Sequence, residues 1–268
     1  MCIRDRLKDV PRPGHADYTA WVKYGGHNDI RGGGQFSGRL TAPLCFAGAL
    51  AMQVLAPRGI RVRARIRRIA GIEDAPADFA RPPMDAIPAE GLPCLDADAA
   101  RRMREAVLAA KAAGDSVGGV VECFATGLPA GLGDGMFDGV ENRVARALFG
   151  IPAVKGVEFG AGFAAADLRG SENNDPYRAL DGRIVAETNH AGGALGGIST
   201  GMPLVVRAAF KPTPSIALAQ RSVSLSRHED APLTVQGRHD PCVVIRAVPV
   251  VEAAVACALL DMLLEADL

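Results

Sequence analysis

Four separated segments of this chain combine glycine with histidine, aspartate, arginine or lysine. They are residues 13–39, PGHADYTAWVKYGGHNDIRGGGQFSGR, residues 188–201, TNHAGGALGGISTG, residues 211–215, KPTPS, and residues 237–242, GRHDPC. Bases beside glycine-exposed backbone suit a phosphate or a flat anionic ligand, whereas histidine and aspartate suit proton transfer. Segments of this kind can converge, so their concentration predicts one shared site.

The composition limits the kinds of partner that this protein can have. The chain has 268 residues, which fit one large domain or two small ones. Its 30 basic and 30 acidic residues give a formal net charge of +0, which argues against a general binder of nucleic acid or acidic membranes. No apolar run reaches the roughly 18 residues that span a bilayer, so no membrane partner is expected. An anionic ligand must therefore be met by local positive charge.

Cysteine usage and the start of the chain give further expectations. The six cysteines are scattered without CxxC spacing, which favours free thiols in a reducing cytoplasm. No set of His, Cys, Asp and Glu has recognisable metal-ligand spacing, so no metal is predicted. Residues 1–8 have no apolar signal region and no pattern that continues into residue 9 and beyond. We expect a non-native or truncated start and a single domain over residues 9–268.

The elements that must position these segments mix helices and strands without a regular βα repeat. The apolar, alanine-rich residues 41–54 predict a buried helix. Residues 60–69 alternate apolar residues with arginines, as a half-buried strand does, and these arginines are expected on a solvated face. Residues 73–93 and 170–182 are expected as surface loops. Further helices are predicted over residues 96–113, 138–149 and 250–264, and strands over 116–124, 154–159 and 204–209.

Two short motifs suggest other chemistries. Residues 197–201, GISTG, fit the G-x-S-x-G pattern of a hydrolase nucleophile elbow, but glycines precede the serine and a strand follows it, where an elbow needs a strand and then a helix. Ser199 is therefore expected to be a turn residue or a hydrogen-bond donor to a ligand. Residues 160–165, GAGFAA, partly match a dinucleotide fingerprint, but only about four helix-compatible residues follow them.

Six segments, taken in order, closely resemble the signatures of the chorismate synthase family. The resemblance extends from about residue 9 to residue 264. It implies an α+β fold with a β-α-β sandwich core in a single domain, and a cytoplasmic homotetramer. The segments are RPGHADYTAWVKYG at 12–25, DIRGGGQFSGRLTAP at 29–43, IPAVKGVEFGAGF at 151–163, TNHAGGALGGISTGMP at 188–203, KPTPSI at 211–216 and GRHDPCVVIRAVPVVEA at 237–253.

The resemblance also implies an activity. The family consists of lyases of the shikimate pathway of aromatic amino acid biosynthesis. They convert 5-enolpyruvylshikimate 3-phosphate to chorismate and phosphate by an anti-1,4-elimination that requires reduced FMN. Such a reaction needs an anion-binding pocket, an electron-rich partner for a developing cation and a base.

Individual residues take their expected roles from the same resemblance. His15 is implied as the catalytic histidine that keeps the bound reduced flavin in its working protonation state. Asp240 is implied to relay the proton that the flavin removes from the substrate. Arg39 and Arg238 match positions that meet the anionic substrate or the flavin phosphate. His27, His190 and His239 are expected only to support the residues that contact the ligands. The implied flavin contacts are Gln35, Phe36, Ser37, Pro152, Ala153, Gly196, Lys211, Pro212, Thr213, Pro214, Ser215 and Arg238.

Two departures from the family pattern bear on the site. Gln35 stands where the family commonly has arginine, so one positive charge near the flavin is missing. The family begins with a segment that carries a G-E-S-H-G motif, a second catalytic histidine and much of the phosphate binding, and this segment is not found before Asp9. A non-catalytic, flavin-binding fragment of the enzyme is therefore an alternative. A serine hydrolase is the less favoured second alternative.

Overall fold

The computed structural model describes residues 9–237 and 239–266, so the expected non-native start, residues 1–8, lies outside the described residues. The centre of the fold is a five-stranded sheet in which every neighbouring pair of strands is antiparallel. From one edge to the other the strands are β2 (Ile72–Glu73), β1 (Arg61–Ile69), β3 (Gly119–Thr126), β9 (Leu204–Phe210) and β4 (Val154–Phe159).

The helices of the described chain are α1 (Asp17–Lys23), α2 (Thr41–Leu55), α3 (Ala97–Ala112), α4 (Val140–Phe149), α5 (Gly170–Asn173) and α6 (Val244–Ala266). Of these, α2, α3, α4 and α6 enclose the main core beside the sheet. Most of the length of α6 is buried, and it contacts β1, β3, α2 and α4. A Cβ atom added to Gly48 of α2 would lie only 2.3 Å from the Cα atom of Ala253, so the glycine allows α2 and α6 to pack closely.

The opposite face of the sheet carries a smaller apolar cluster. Phe124 of β3 and Val205 of β9 are paired across the two strands and pack with Met84 and Ile87. The expectation that residues 73–93 form only a surface loop is therefore wrong, because side chains from this stretch cover the second face of the sheet.

Helix α2 is less buried than its composition predicts. Only Gly48, Ala51 and Leu55 are buried, while Phe46 is 70% exposed. The prediction that this helix is buried is therefore wrong, because only one side of α2 packs against α6. Two helical stretches of the described chain are long and apolar enough to cross a membrane, Gly38–Arg58 and Val244–Ala266. The share of the most apolar window that is buried is 17% in the first and 61% in the second. This is weak evidence for a membrane span, since the core helix of a globular protein gives the same result.

Strand β1 contains a buried ion network instead of a fully solvated row of arginines. Arg65 is completely buried, and its Nη1 atom lies 2.6 Å from Oδ2 of Asp74. Its Nε atom donates to Oε2 of Glu122 at 2.8 Å, across from it on β3. Arg61 is exposed, as expected, and Arg63 and Arg67 are partly exposed. The prediction of a solvated face thus fails at Arg65, where two carboxylates compensate the buried charge.

Three hairpins lie outside the main sheet. The stretch 170–182, expected as a loop, instead contains α5 and the first of the hairpin strands. The last hairpin holds the start of the described chain, because the amide of Leu225 donates to the Asp9 carbonyl at 2.8 Å. The hairpins pair β5 (Tyr177–Leu180) with β6 (Arg183–Ala186), β7 (Ala194–Leu195) with β8 (Ile198–Ser199), and β10 (Gln220–Ser224) with β11 (Glu229–Leu233).

Candidate active site

The segment 211–215, KPTPS, follows β9 and contacts several of the segments that the sequence singled out. The Lys211 amide donates to the carbonyl oxygen of Ala153 at 3.0 Å. Arg12 Nη1 donates to Ser215 Oγ at 3.1 Å, and the Lys211 ammonium donates to the carbonyl oxygen of Gly14. Segments 12–15 and 151–153 therefore meet at the KPTPS segment, although about 200 residues of chain separate Arg12 from Ser215.

His15 follows a tight glycine turn and faces an aspartate. Its Nδ1 atom lies 2.6 Å from Oδ1 of Asp17, and the side chains of His15 and Asp17 are 15% and 6% exposed. Asp17 is the first residue of α1, and Gly14, with φ of 71°, makes the turn that precedes it. No role for Asp17 was predicted from the sequence, although it lies within the RPGHAD motif.

Arg12 completes this arrangement from the other side of the carboxylate. Its Nε and Nη2 atoms donate to Oδ2 and Oδ1 of Asp17 at 2.8 and 2.9 Å, and its backbone amide donates to Oδ2 at 3.0 Å. Burial opposes the ionisation of Asp17, but the hydrogen bonds from His15 and Arg12 outweigh it and hold the pKa of Asp17 well below its usual range. Asp17 is therefore a carboxylate at neutral pH.

The glycine-rich residues 31–36 form a 3₁₀ turn against His15. A Cβ atom added to Gly33, whose φ is 92°, would lie 3.4 Å from Nε2 of His15. The same turn carries Gln35, whose Nε2 atom donates to the Tyr24 hydroxyl at 2.9 Å, and the partly exposed Phe36. Gln35 thus makes a hydrogen bond between two neutral side chains.

Ser37 and Arg39 follow that turn. Ser37 Oγ accepts a hydrogen bond from the backbone amide of Arg39 at 3.3 Å, and Arg39 is exposed. An exposed guanidinium is available to an anionic ligand.

Ala153 brings a second unusual backbone conformation to the KPTPS segment. Its φ of 76° lies in the left-handed region, which a residue with a Cβ atom rarely adopts. Its carbonyl oxygen accepts the amide of Lys211, and Pro152 precedes it. The backbone thus brings together three of the predicted flavin contacts, Pro152, Ala153 and Lys211.

The segment that contains Asp240 reaches the KPTPS segment indirectly. The Val117 amide donates to the carbonyl oxygen of Pro241 at 2.8 Å, and the neighbouring Ser116 hydroxyl donates to the Thr213 carbonyl at 2.7 Å. Asp240 Oδ1 accepts the Cys242 amide at 3.2 Å, and its Oδ2 atom lies 3.4 Å from Nη1 of Arg246. Over residues 9–237 and 239–266, no hydrogen bond or ion pair joins Asp240 to His15.

The structure leaves other predicted site residues apart from this cluster. Gly196, with φ of 62°, lies in the turn between β7 and β8, and no described contact joins it to the KPTPS segment. His190 Nδ1 lies 3.1 Å from the carbonyl oxygen of Asn173, and His239 Nε2 lies 2.9 Å from that of Val235. Arg238, predicted to meet substrate and flavin, lies outside the described residues.

Ser199 does not have the surroundings of a nucleophile. Its hydroxyl is buried, donates to the Pro129 carbonyl at 2.6 Å and accepts the Leu132 amide at 2.9 Å. It lies on β8, inside a hairpin, and not between a strand and a helix. The geometry therefore contradicts the serine hydrolase alternative and makes Ser199 a structural anchor of residues 129–132.

An unsatisfied polar atom marks the cluster as a place where a ligand fits. Thr213 Oγ1 is buried and has no hydrogen-bond partner in the described part of the chain. A buried hydroxyl without a partner is unfavourable, so a ligand that bonds to it would be stabilised. With the Lys211 ammonium and the glycines beside His15, these residues fit a flat anionic group. In the same described ranges, no cluster of three or more His, Cys, Asp or Glu could hold a metal ion.

The fold and the cluster define an α+β protein in which a histidine–aspartate pair lies beside the KPTPS segment. The chain belongs to the chorismate synthase family, lyases of the shikimate pathway, since the family profile matches residues 4–264. The chorismate synthase of Thermococcus kodakarensis is 52% identical over 97% of this chain and 72% of that protein. That of Thermococcus gammatolerans is 53% identical over the same shares.

The comparison with solved structures agrees with this assignment. A crystal structure of chorismate synthase superposes with a TM-score of 0.77 at 30% identity, over 94% of this chain and 70% of that one. The family membership and the α+β fold class predicted from the sequence are confirmed. The described residues contribute one five-stranded sheet and a helical layer to that fold.

Proposed function

We propose that this chain binds reduced FMN and converts 5-enolpyruvylshikimate 3-phosphate to chorismate and phosphate by an anti-1,4-elimination. The observation that carries the proposal is the meeting of family motifs at the KPTPS segment, where Arg12 contacts Ser215 and Ala153 contacts Lys211. These motifs are far apart in the sequence, so their contact is a property of the fold.

The residues at the cluster divide into those that hold the flavin and those that act on the substrate. The backbone of Pro152 and Ala153, the turn 35–37, Gly196 and the KPTPS segment would hold FMN, with Arg238 as a further contact to phosphate. When bound, reduced FMN supplies electron density to the carbon framework from which phosphate leaves. Lys211 provides positive charge to the flavin phosphate, and Arg39 to the anionic substrate.

Two groups of this chain handle protons in the proposed reaction. His15 exchanges a proton at Nε2, since its Nδ1 atom faces Asp17. Asp240 relays the proton through its carboxylate, whose Oδ1 atom accepts the Cys242 amide and whose Oδ2 atom lies 3.4 Å from Nη1 of Arg246. We further propose a homotetramer in the cytoplasm that acts on this small phosphate ester without a nucleic-acid or membrane partner.

Turnover under anaerobic conditions tests this proposal. Purified protein is mixed with reduced FMN and the substrate, and chorismate is measured by chromatography while FMN binding is measured by fluorescence. We expect turnover by the unmodified chain and a loss of about 10²–10⁴-fold in His15→Asn, as for removal of a general acid–base. His228→Asn is the matched control, because His228 is an exposed hairpin residue with φ of 56°, a conformation that asparagine tolerates.

The outcomes separate the enzyme from the fragment alternative. FMN binding without any turnover favours a non-catalytic flavin-binding fragment. The absence of both FMN binding and turnover would overturn the proposal altogether. Equal turnover in His15→Asn and the unmodified chain would remove His15 from the mechanism.

A further inference from the structure

We propose that Asp17 is the positioning residue of His15, fixing the proton of the neutral imidazole on Nδ1 and leaving Nε2 as the atom that exchanges protons. The proposal rests on the role of His15 given above and adds a residue to it. It begins from the 2.6 Å separation of His15 Nδ1 and Asp17 Oδ1, the shortest of the polar contacts that Asp17 makes.

The charge of Asp17 decides which tautomer this contact permits. Asp17 accepts three hydrogen bonds from Arg12 and is held as a carboxylate. An unprotonated Nδ1 would direct a lone pair at this carboxylate at 2.6 Å, which is repulsive, whereas Nδ1–H donates to it. The neutral form of His15 must therefore carry its proton on Nδ1.

The other ring nitrogen faces a position without a side chain. A Cβ atom added to Gly33 would lie 3.4 Å from Nε2, so the glycine leaves this atom less covered than any other residue would. The sequence thus supplies an acceptor on the Nδ1 side and a glycine on the Nε2 side.

The charged groups around His15 hold the His15–Asp17 contact in place, and together they carry only a small net charge. Arg12 carries one positive charge, and its Nη2 atom also lies 3.3 Å from His15 Nδ1, while Asp17 carries one negative charge. The Lys211 ammonium donates to the carbonyl oxygen of Gly14, the residue that precedes His15. Arg12 is itself held by Ser215 Oγ, so Asp17 and His15 are tied to the KPTPS segment through one guanidinium.

The test is a nitrogen NMR titration of the protein with labelled histidine, without flavin or substrate. The His15 signals are assigned by their disappearance in His15→Asn. In the unmodified protein we expect neutral His15 to be at least about 90% in the Nδ1–H form, since both ring nitrogens are distinguishable by their shifts. In Asp17→Asn we expect a mixture of the Nδ1–H and Nε2–H tautomers, because an asparagine amide can either accept from Nδ1–H or donate to an unprotonated Nδ1.

Matched variants separate positioning from general damage. Asp85→Asn is the control, because Asp85 also pairs with an arginine, Arg61, but is highly exposed and contacts no histidine. It should leave the His15 signals unchanged. Asp17→Glu restores the carboxylate and should return the ratio of the two tautomers towards that of the unmodified protein. Circular dichroism establishes that each variant is folded.

Turnover provides an independent readout. Asp17→Asn should lower turnover by about tenfold to hundredfold, less than His15→Asn, with little change in FMN affinity. An Nε2–H tautomer in the unmodified protein would overturn the proposal even if Asp17→Asn failed to fold. An unchanged ratio of tautomers in a folded Asp17→Asn would also overturn it. Full turnover in His15→Asn would instead refute the proposed role of His15 and leave the tautomer result standing.

Discussion

The Ser116 hydroxyl donates to the carbonyl oxygen of Thr213 at 2.7 Å, while the Thr213 hydroxyl itself is buried and unbonded within the described ranges. The backbone of Thr213 is therefore fixed, and its side-chain oxygen is left without a partner from the described protein. A polar group that is held in position and unsatisfied is suited to bond a ligand, since its desolvation cost is already present in the free protein.

Thr213→Val tests this interpretation directly. Valine has nearly the same shape and removes the unsatisfied oxygen, so the free protein should keep its stability or gain up to about 1 kcal/mol. Affinity for FMN should fall by about tenfold, the loss expected for one hydrogen bond. Urea unfolding and flavin fluorescence measure the two quantities, and a large loss of stability without loss of affinity would contradict the assignment.

Lys211→Met should weaken flavin binding more strongly. The ammonium is the only charge in the KPTPS segment, and a charge-assisted hydrogen bond contributes about 1.5–3 kcal/mol, or about tenfold to hundredfold in affinity. The affinity of the unmodified protein should also fall as salt is added. Lys155→Met, at an exposed lysine of β4, is the control and should bind FMN normally. Equal affinities in the two variants would remove Lys211 from the flavin site.

The buried network of β1 should be sensitive to the loss of its arginine. Arg65→Met leaves Asp74 and Glu122 buried without their cation, which should destabilise the fold by about 3–5 kcal/mol. Arg68→Met changes a half-exposed arginine of the same strand and should stay within about 0.5 kcal/mol. Urea denaturation of both variants measures the contrast, which disappears if the network is not formed.

The contribution of Asp17 to stability should depend on pH in a defined direction. Because its folded-state pKa is lowered, this contribution is present above the ordinary aspartate value of 3.8 and is lost as pH falls through the folded-state value. The difference in unfolding free energy between the unmodified protein and Asp17→Asn should therefore shrink between pH 6 and acidic conditions below 3.8. A difference that grows on acidification would mean that Asp17 is not ionised in the fold.

The sequence predicted which segments lie together in the proposed site better than it predicted which side chains contact one another there. His15 and Lys211 were identified because their motifs are local and rich in glycine and polar residues. The role of Asp17 depends on a side-chain contact that the order of residues does not reveal, although Asp17 is only two positions from His15. The Arg65 network needs the cross-strand register that places Glu122 opposite it, and an alternating pattern is the same for a solvated or a buried arginine.

Burial of whole helices was equally hard to predict. An apolar composition marked both α2 and the terminal helix, yet α6 is surrounded by other elements whereas α2 packs on one side only. The terminal helix was expected to begin at about residue 250, but it begins at Val244 and continues through Pro249, which lies inside the helix. Composition gives the tendency to be buried, and the number of neighbours decides the outcome.

Because the KPTPS segment contacts residues near the start of the described chain, ligand binding should be coupled to the local opening of those residues. Arg12 and Ser215 are 203 residues apart in the chain, and the start of the described chain is also held by Leu225. Local opening of the first residues would therefore remove a wall of the site together with its histidine. A ligand that binds only the closed form must in turn suppress that opening. FMN should therefore protect the amides of residues 12–15 from hydrogen exchange, including amides that it does not contact.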